Sequence, residues 1–168
     1  AGGGQEYYGV HADLIASGKL LGGSMPMGVF GGRADIMALL EARDGPPPVY
    51  HSGTWNGHPL AMVAGSAQLR NLGPAEFTRL GELGEYLRRG VRAAAARHGV
   101  ALQVTGAQHF SGFHYTDVPV RNHRDARRAD GMLARRVAFS LLSQGYYIVG
   151  GRTNLSTAIT FADLDGFI

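Results

Sequence analysis

Residues 15–32 read IASGKLLGGSMPMGVFGG and contain Lys19, the single lysine of the 168-residue chain. The other fifteen of its sixteen basic Lys and Arg side chains are arginines. Lys19 stands between Ser17-Gly18 and Leu20-Leu21-Gly22-Gly23, an odd setting for a solubilising residue. Apolar neighbours lower the cost of a neutral amine, and a neutral amine is a nucleophile toward carbonyls. The same letters also allow a plain loop lysine that happens to be the last one left. Locally, Lys19-Leu20-Leu21 is expected to be extended, Gly22–Pro26 to bend like a hairpin, and Met27–Gly32 to form a buried, Gly-flanked strand. That arrangement sets Lys19 at a strand end.

Composition narrows the function classes. An apolar fraction of 45% and a charged fraction of 17% suit a globular chain with a real core. The formal charge of +3 is modest, and the arginines are spread along helices without aromatic interleaving, which argues against nucleic acid as a partner. There is no cysteine, so disulfides, thiolate metal sites and a Cys nucleophile are excluded, and a cytoplasmic setting is expected. No apolar run approaches the roughly 20 residues of a membrane span. The opening AGGGQEYYGV lacks Met and reads as a chain entered partway through.

Along the chain, residues 1–9 are expected to be loop, with Tyr7-Tyr8 packing as its anchor. Arg33–Arg43 has apolar residues at helical spacing, and Pro46-Pro47-Pro48 stops it. Val49–Pro59 then leads into a helix over Leu60–Leu72. Ser52, Gly53, Thr54 and Asn56 just before a helix N-terminus form a candidate anion site, or they act only as capping and turn residues. Pro74 opens the clearest helix, with Phe77, Leu80, Leu83, Leu87 and Val91 on one face and Arg79, Arg88, Arg89, Arg92 and Arg97 on the solvated side. Strands are expected at Val100–Val104, Phe110–Tyr115, Tyr146–Val149 and Asn154–Thr160. A helix is expected over Arg124–Gln144, with Ala129, Met132, Leu133, Val137 and Leu141 inward, and the first turn of another at Phe161–Ile168. His109 and His114 lack a third ligand at metal spacing. The alternation of helices and short strands makes an α/β or α+β layered domain.

Ser17-Gly18-Lys19-Leu20-Leu21-Gly22-Gly23-Ser24-Met25-Pro26-Met27-Gly28, followed by Gly31-Gly32, resembles the class III aminotransferases of pyridoxal phosphate (PLP) fold type I. It looks most like the glutamate-1-semialdehyde 2,1-aminomutase branch and its β-amino-acid transaminase relatives. Three further blocks agree in order: Ser52–Met62, then Phe113–Asp117 continuing to Pro119–Asp125, then Asn154–Ala158. The resemblance implies an α/β fold in two parts. Residues 1–74 would be the C-terminal part of the large PLP-binding domain, and residues 75–168 the small α+β C-terminal domain. It implies that Lys19 forms the Schiff base with PLP and shuttles a proton during amino-group transfer on an amino acid or amino-aldehyde. It also implies that Gly53 and Thr54 bind the cofactor, with Thr54 on the phosphate of the neighbouring subunit, so that a homodimer shares the active site.

The family's chain is far longer. Its preceding portion supplies the aspartate for the pyridinium nitrogen, the Gly-rich phosphate loop and the aromatic ring stack, and no counterparts precede Ala1 in this sequence. His58 stands where relatives commonly have Asn. Gly150 takes the place of a substrate-binding Arg of some relatives, with Arg152 shifted. The alternative expectation is therefore a degenerate stand-alone fragment that binds PLP weakly or not at all and is catalytically incompetent.

Overall fold

Two antiparallel strands, β1 (Leu14–Gly18) and β2 (Gly28–Gly32), pair from Leu14↔Gly32 to Gly18↔Gly28 in the computed structural model, which describes residues 3–168. They belong to the first of two compact units, Ala1–Pro74 and Ala75–Ile168. Between the strands, Lys19–Gly22 is a 3-10 turn and not an extended piece. Gly23 ends it in the left-handed region at φ 55°, where its N–H donates to the Leu20 carbonyl at 3.2 Å, a closure that an extended backbone cannot make. The strand expected at Met27–Gly32 is present but not buried: Val29 and Phe30 keep 43% and 45% of their surface.

Upstream, α1 (Gly3–Tyr8) replaces the expected loop. Gly9, at φ +64°, terminates it, and the Val10 N–H reaches back to the Gln5 carbonyl at 3.0 Å. Ala1 and Gly2, the start of that expected loop, lie outside the described residues. Tyr7 and Tyr8 meet edge to face but stay 53% and 73% exposed, so they anchor nothing in this unit. After β2, the helix expected over Arg33–Arg43 shrinks to α2 (Ala34–Met37) and a 3-10 turn, Ala38–Leu40. Glu41 then turns extended, and the Val49 N–H closes the proline loop onto the Leu39 carbonyl at 2.9 Å. The unit ends with α3 (Pro59–Asn71).

The second unit is built on α4 (Pro74–Arg97) and a three-stranded antiparallel sheet ordered β3 (Gln103–Ala107), β4 (Phe110–His114), β5 (Arg152–Asn154). Leu80, Leu83 and Leu87 of α4 pack with Val104, Phe113, Leu155 and Leu164. Full burial of a leucine such as Leu83 contributes roughly 1.5–3 kcal/mol. Arg88 is not on the solvated side: it is 6% exposed, and its Nη1 donates to the Gln108 and Phe110 carbonyls at 2.8 and 3.0 Å. Gly84, one turn earlier, lets the Gln108 carbonyl approach the helix. Arg79 and Arg92 also turn inward, donating to the carbonyls of Thr157, Ile159 and Val104.

The helix expected over Arg124–Gln144 is broken into α5 (His123–Ala126) and α6 (Gly131–Ser143), because the Asn122 and Asp130 side chains each cap a separate start. Leu133, Val137 and Leu141 are half-buried, no residue of α6 is fully buried, and Met132, also expected inward, is 64% exposed. Tyr146–Val149 forms no strand; Gly150 and Gly151, at φ 57° and 67°, fold the chain so that only a single bridge joins Val149 to Arg152. The strand expected at Asn154–Thr160 ends at Asn154, and Thr160 and Asp163 form a capping box that starts α7 (Phe161–Phe167).

Candidate cofactor-anchoring site

Lys19 follows β1 directly and has φ 52°, a left-handed conformation that costs a non-glycine residue roughly 1–2 kcal/mol. Its side chain is exposed, and among the described residues no hydrogen bond or ion pair engages its Nζ. Strain of this kind persists only where the surroundings over-determine the backbone. Two features do so here. A β-carbon at Gly18 would sit 3.2 Å from the Met27 carbonyl oxygen, so the hairpin closes tightly just before the lysine. On its other side the 3-10 turn interlocks with α3: a β-carbon at Gly23 would strike the Ala64 carbonyl, and one at Gly65 would strike the Leu21 carbonyl. Each backbone occupies the space that the other's missing side chain leaves.

The Ser52-Gly53-Thr54 segment lies in the same unit. Thr54 begins a turn over residues 54–57, so α3 starts later than a direct helix-N-terminal site requires. The N-cap of α3 is His58, with no side-chain hydrogen bond, and Pro59 is the first helical residue. Ser52, Thr54 and Asn56 therefore do not cap the helix. Asn56 folds back instead: its N–H donates to the Gly53 carbonyl at 3.0 Å and its amide side chain meets His51 Nε2 at 3.3 Å. A β-carbon at Gly53 would come within 3.0 Å of Asn56 Oδ1. Among the described residues no hydrogen bond engages the Thr54 hydroxyl or the N–H groups of Gly53, Thr54 and Trp55. Successive free N–H donors beside a hydroxyl suit a phosphate. No hydrogen bond joins Lys19 and Thr54 among the described residues.

The donor set thus fits the two ends of PLP that this chain could hold: an unpaired amine for the aldehyde and an uncommitted N–H and hydroxyl cluster for the phosphate. Asn56 and the Gly23–Gly65 interlock escape a sequence reading. The first looks like any turn residue, and the second joins positions far apart in the chain. An open cavity of about 730 Å³ lies wholly in the second unit, between β5, the 145–149 segment and α7, and contains neither Lys19 nor Thr54. His109 lies in the turn before β4 and His114 ends that strand. Burial holds His109 and His114 below the ordinary imidazole value of 6.5, and His114 Nε2 lies 2.9 Å from Thr105 Oγ1. No cluster of three His, Asp or Glu side chains able to hold a metal occurs among the described residues. No helix among them is long and apolar enough to cross a membrane.

Residues 3–150 match the family described as aminotransferase class-III. The β-phenylalanine transaminase of Variovorax paradoxus is 40% identical over 162 residues, covering 95% of this chain and 37% of the transaminase. A glutamate-1-semialdehyde 2,1-aminomutase of Sorangium cellulosum is 40% identical over 146 residues, covering 87% of this chain and 33% of the aminomutase. An omega-transaminase from Sphaerobacter thermophilus superposes with a TM-score of 0.89 at 36% identity, over 99% of this chain and 39% of that one. A transaminase with PLP bound superposes at 0.85 with 27% identity, over 97% of this chain and 38% of that one. The chain spans little more than a third of the length of the curated relatives it matches. It has the α/β fold of the PLP-dependent transaminases over that span. Because the family match takes in both the lysine turn and the Ser-Gly-Thr segment and continues through β4 and α6, this chain belongs to the class III aminotransferases.

Proposed function

We propose that this chain is the C-terminal part of a PLP-dependent class III aminotransferase or aminomutase, with Lys19 as its Schiff-base lysine. The observation that carries the reading is the chain's single lysine, left-handed and without an ion-pair partner at the end of β1. When bound, PLP supplies an electron sink for the bonds at the substrate's α-carbon. Lys19 Nζ would anchor the cofactor covalently and, once released, would carry the proton taken from the substrate's Cα to the cofactor carbon bonded to the amino nitrogen. The fixed 3-10 turn gives that amine a defined origin, which general acid–base work requires. The Thr54 hydroxyl and the Gly53 and Thr54 N–H groups bind the cofactor phosphate held mainly by a neighbouring copy, so the functional unit is a homodimer. Unit Ala1–Pro74 corresponds to the end of the large cofactor domain and Ala75–Ile168 to the small C-terminal domain.

The substrate is an amino acid or amino-aldehyde, in keeping with the β-phenylalanine transaminase and aminomutase among the relatives. Incubation with PLP should give the absorbance band of a lysine-bound cofactor, trapped by borohydride as a mass increment on the tryptic peptide containing residue 19. Lys19→Ala should abolish both. A wild-type chain that forms neither band nor adduct at any PLP concentration would sink the assignment. Aminomutase and transaminase activity separate on the acceptor: an aminomutase turns over without added keto acid, and a transaminase stops after one half-reaction.

A further inference from the structure

The chain's positive charge is concentrated in one stretch of sequence. Residues 121–136 hold six arginines and two aspartates, whereas the rest of the chain holds ten basic and eleven acidic side chains. The net +3 of the whole chain therefore arises in this segment. All six arginines are exposed, and none forms a salt bridge among the described residues. The two aspartates are turned to the backbone. Asp125 Oδ2 accepts from the Arg121 N–H at 3.0 Å, and Asp130 Oδ1 accepts from the Met132 and Leu133 N–H groups at 2.9 Å.

The outward face of α6 adds an apolar centre to this charge. Met132 and Phe139, seven residues apart, lie two turns from each other on the solvent side and are 64% and 70% exposed. Arg135 and Arg136 fall between them at the three- and four-residue spacings and bracket the line joining them. Leu142, 48% exposed, extends the stripe toward the C-terminus. The helix contains no acidic residue. Leu133, Val137 and Leu141, on the other side of the helix, are half-buried.

We propose that this face of α6 is a docking surface for an acidic, amphipathic protein segment whose apolar side covers Met132 and Phe139 while its carboxylates meet Arg135 and Arg136. An apolar anchor rimmed by arginine is the composition of a protein-binding hot spot. The charge excess selects an anionic partner and steers its approach. A single exposed aromatic gives one stacking platform, too few to hold a nucleic acid strand. Three exposed apolar side chains supply little area for insertion into a lipid surface. The surface lies on a different unit from Lys19.

The test uses the 168-residue chain and a fluorescein-labelled synthetic helix with leucines at helical spacing and glutamates elsewhere, followed by anisotropy. Saturable binding that weakens with salt is expected. Phe139→Ser should weaken it at least about tenfold, as should the pair Arg135→Glu with Arg136→Glu. Arg97→Glu, at the end of α4, should leave it unchanged, and the same peptide with lysines for glutamates should not bind. Far-UV circular dichroism of each variant checks that the fold persists. Absence of saturable binding, binding indifferent to Phe139→Ser, or tighter binding of phosphatidylserine vesicles or an oligothymidylate would overturn the proposal.

Discussion

Lys19 carries two pieces of information that a sequence separates and a structure joins. Its uniqueness among fifteen arginines is visible in the letters; its φ of 52° is not. Lys19→Gly should raise thermal stability by about 0.5–1 kcal/mol, because glycine accepts the left-handed backbone, while losing the PLP adduct entirely. Lys19→Val should lose the adduct and destabilise by more than about 1 kcal/mol, since a β-branched residue is a poor fit there. Thermal melts with borohydride trapping would read both quantities, and a Lys19→Gly variant that melts lower would contradict the strain argument. Arg88 teaches the opposite lesson. Its charge suggested solvent, yet it satisfies two carbonyls in the second unit. Arg88→Leu should cost about 1–3 kcal/mol by orphaning them, measurable by urea unfolding.

Among the elements, α4 was legible in its extent and apolar face, because Leu80, Leu83 and Leu87 repeat at helical spacing and all three are buried, but not in its inward-turned arginines Arg79, Arg88 and Arg92. The short elements were not. α1 depends on Gly9 to end it, the Lys19 turn depends on Gly23, and the break between α5 and α6 depends on which of several polar side chains takes the cap. Local propensity barely separates these outcomes, and tertiary contacts decide them. At this scale the caps and the interlock are testable. Thr160→Ala removes half of the capping box of α7 and should cost about 1 kcal/mol in urea unfolding. Gly65→Ala puts a methyl group against the Leu21 carbonyl and should destabilise by about 1–3 kcal/mol, with a matching loss of PLP adduct at Lys19. A Gly65→Ala variant as stable and as reactive as the parent would show that the interlock does not hold the lysine.

Over the whole molecule, burial is uneven. The large buried side chains of the core, Leu80, Leu83, Leu87, Phe113, Leu155 and Leu164, all belong to the second unit, whereas the first buries Ala61. Amide hydrogen exchange should therefore be slowest around Leu83–Leu87 and much faster in the β1–β2 hairpin. The imidazoles set the pH response. His109 and His114 have folded values below the ordinary 6.5 through burial, so the unfolded chain binds more protons as pH falls through that range. Their contribution is present above about pH 6.5 and is lost as pH drops toward their folded values. Melting temperature should thus fall between pH 7.5 and 5.5, and His109→Gln with His114→Gln should flatten that slope. The depressed Asp163 carboxyl, held by its hydrogen bonds with Thr160, adds a second loss of stability at more acidic pH.

The paired glycines at 23 and 65 bear on how such chains are compared. Sorting family members by the presence of a lysine at the position of Lys19 inspects one position. Yet a single-base change at either glycine codon, leaving that lysine untouched, would put a side chain where the opposing backbone already lies. A lineage that drifted there would keep its hallmark residue and lose its alignment. The glycine pair, read together with Lys19, is the stricter signature of an amine still held in position.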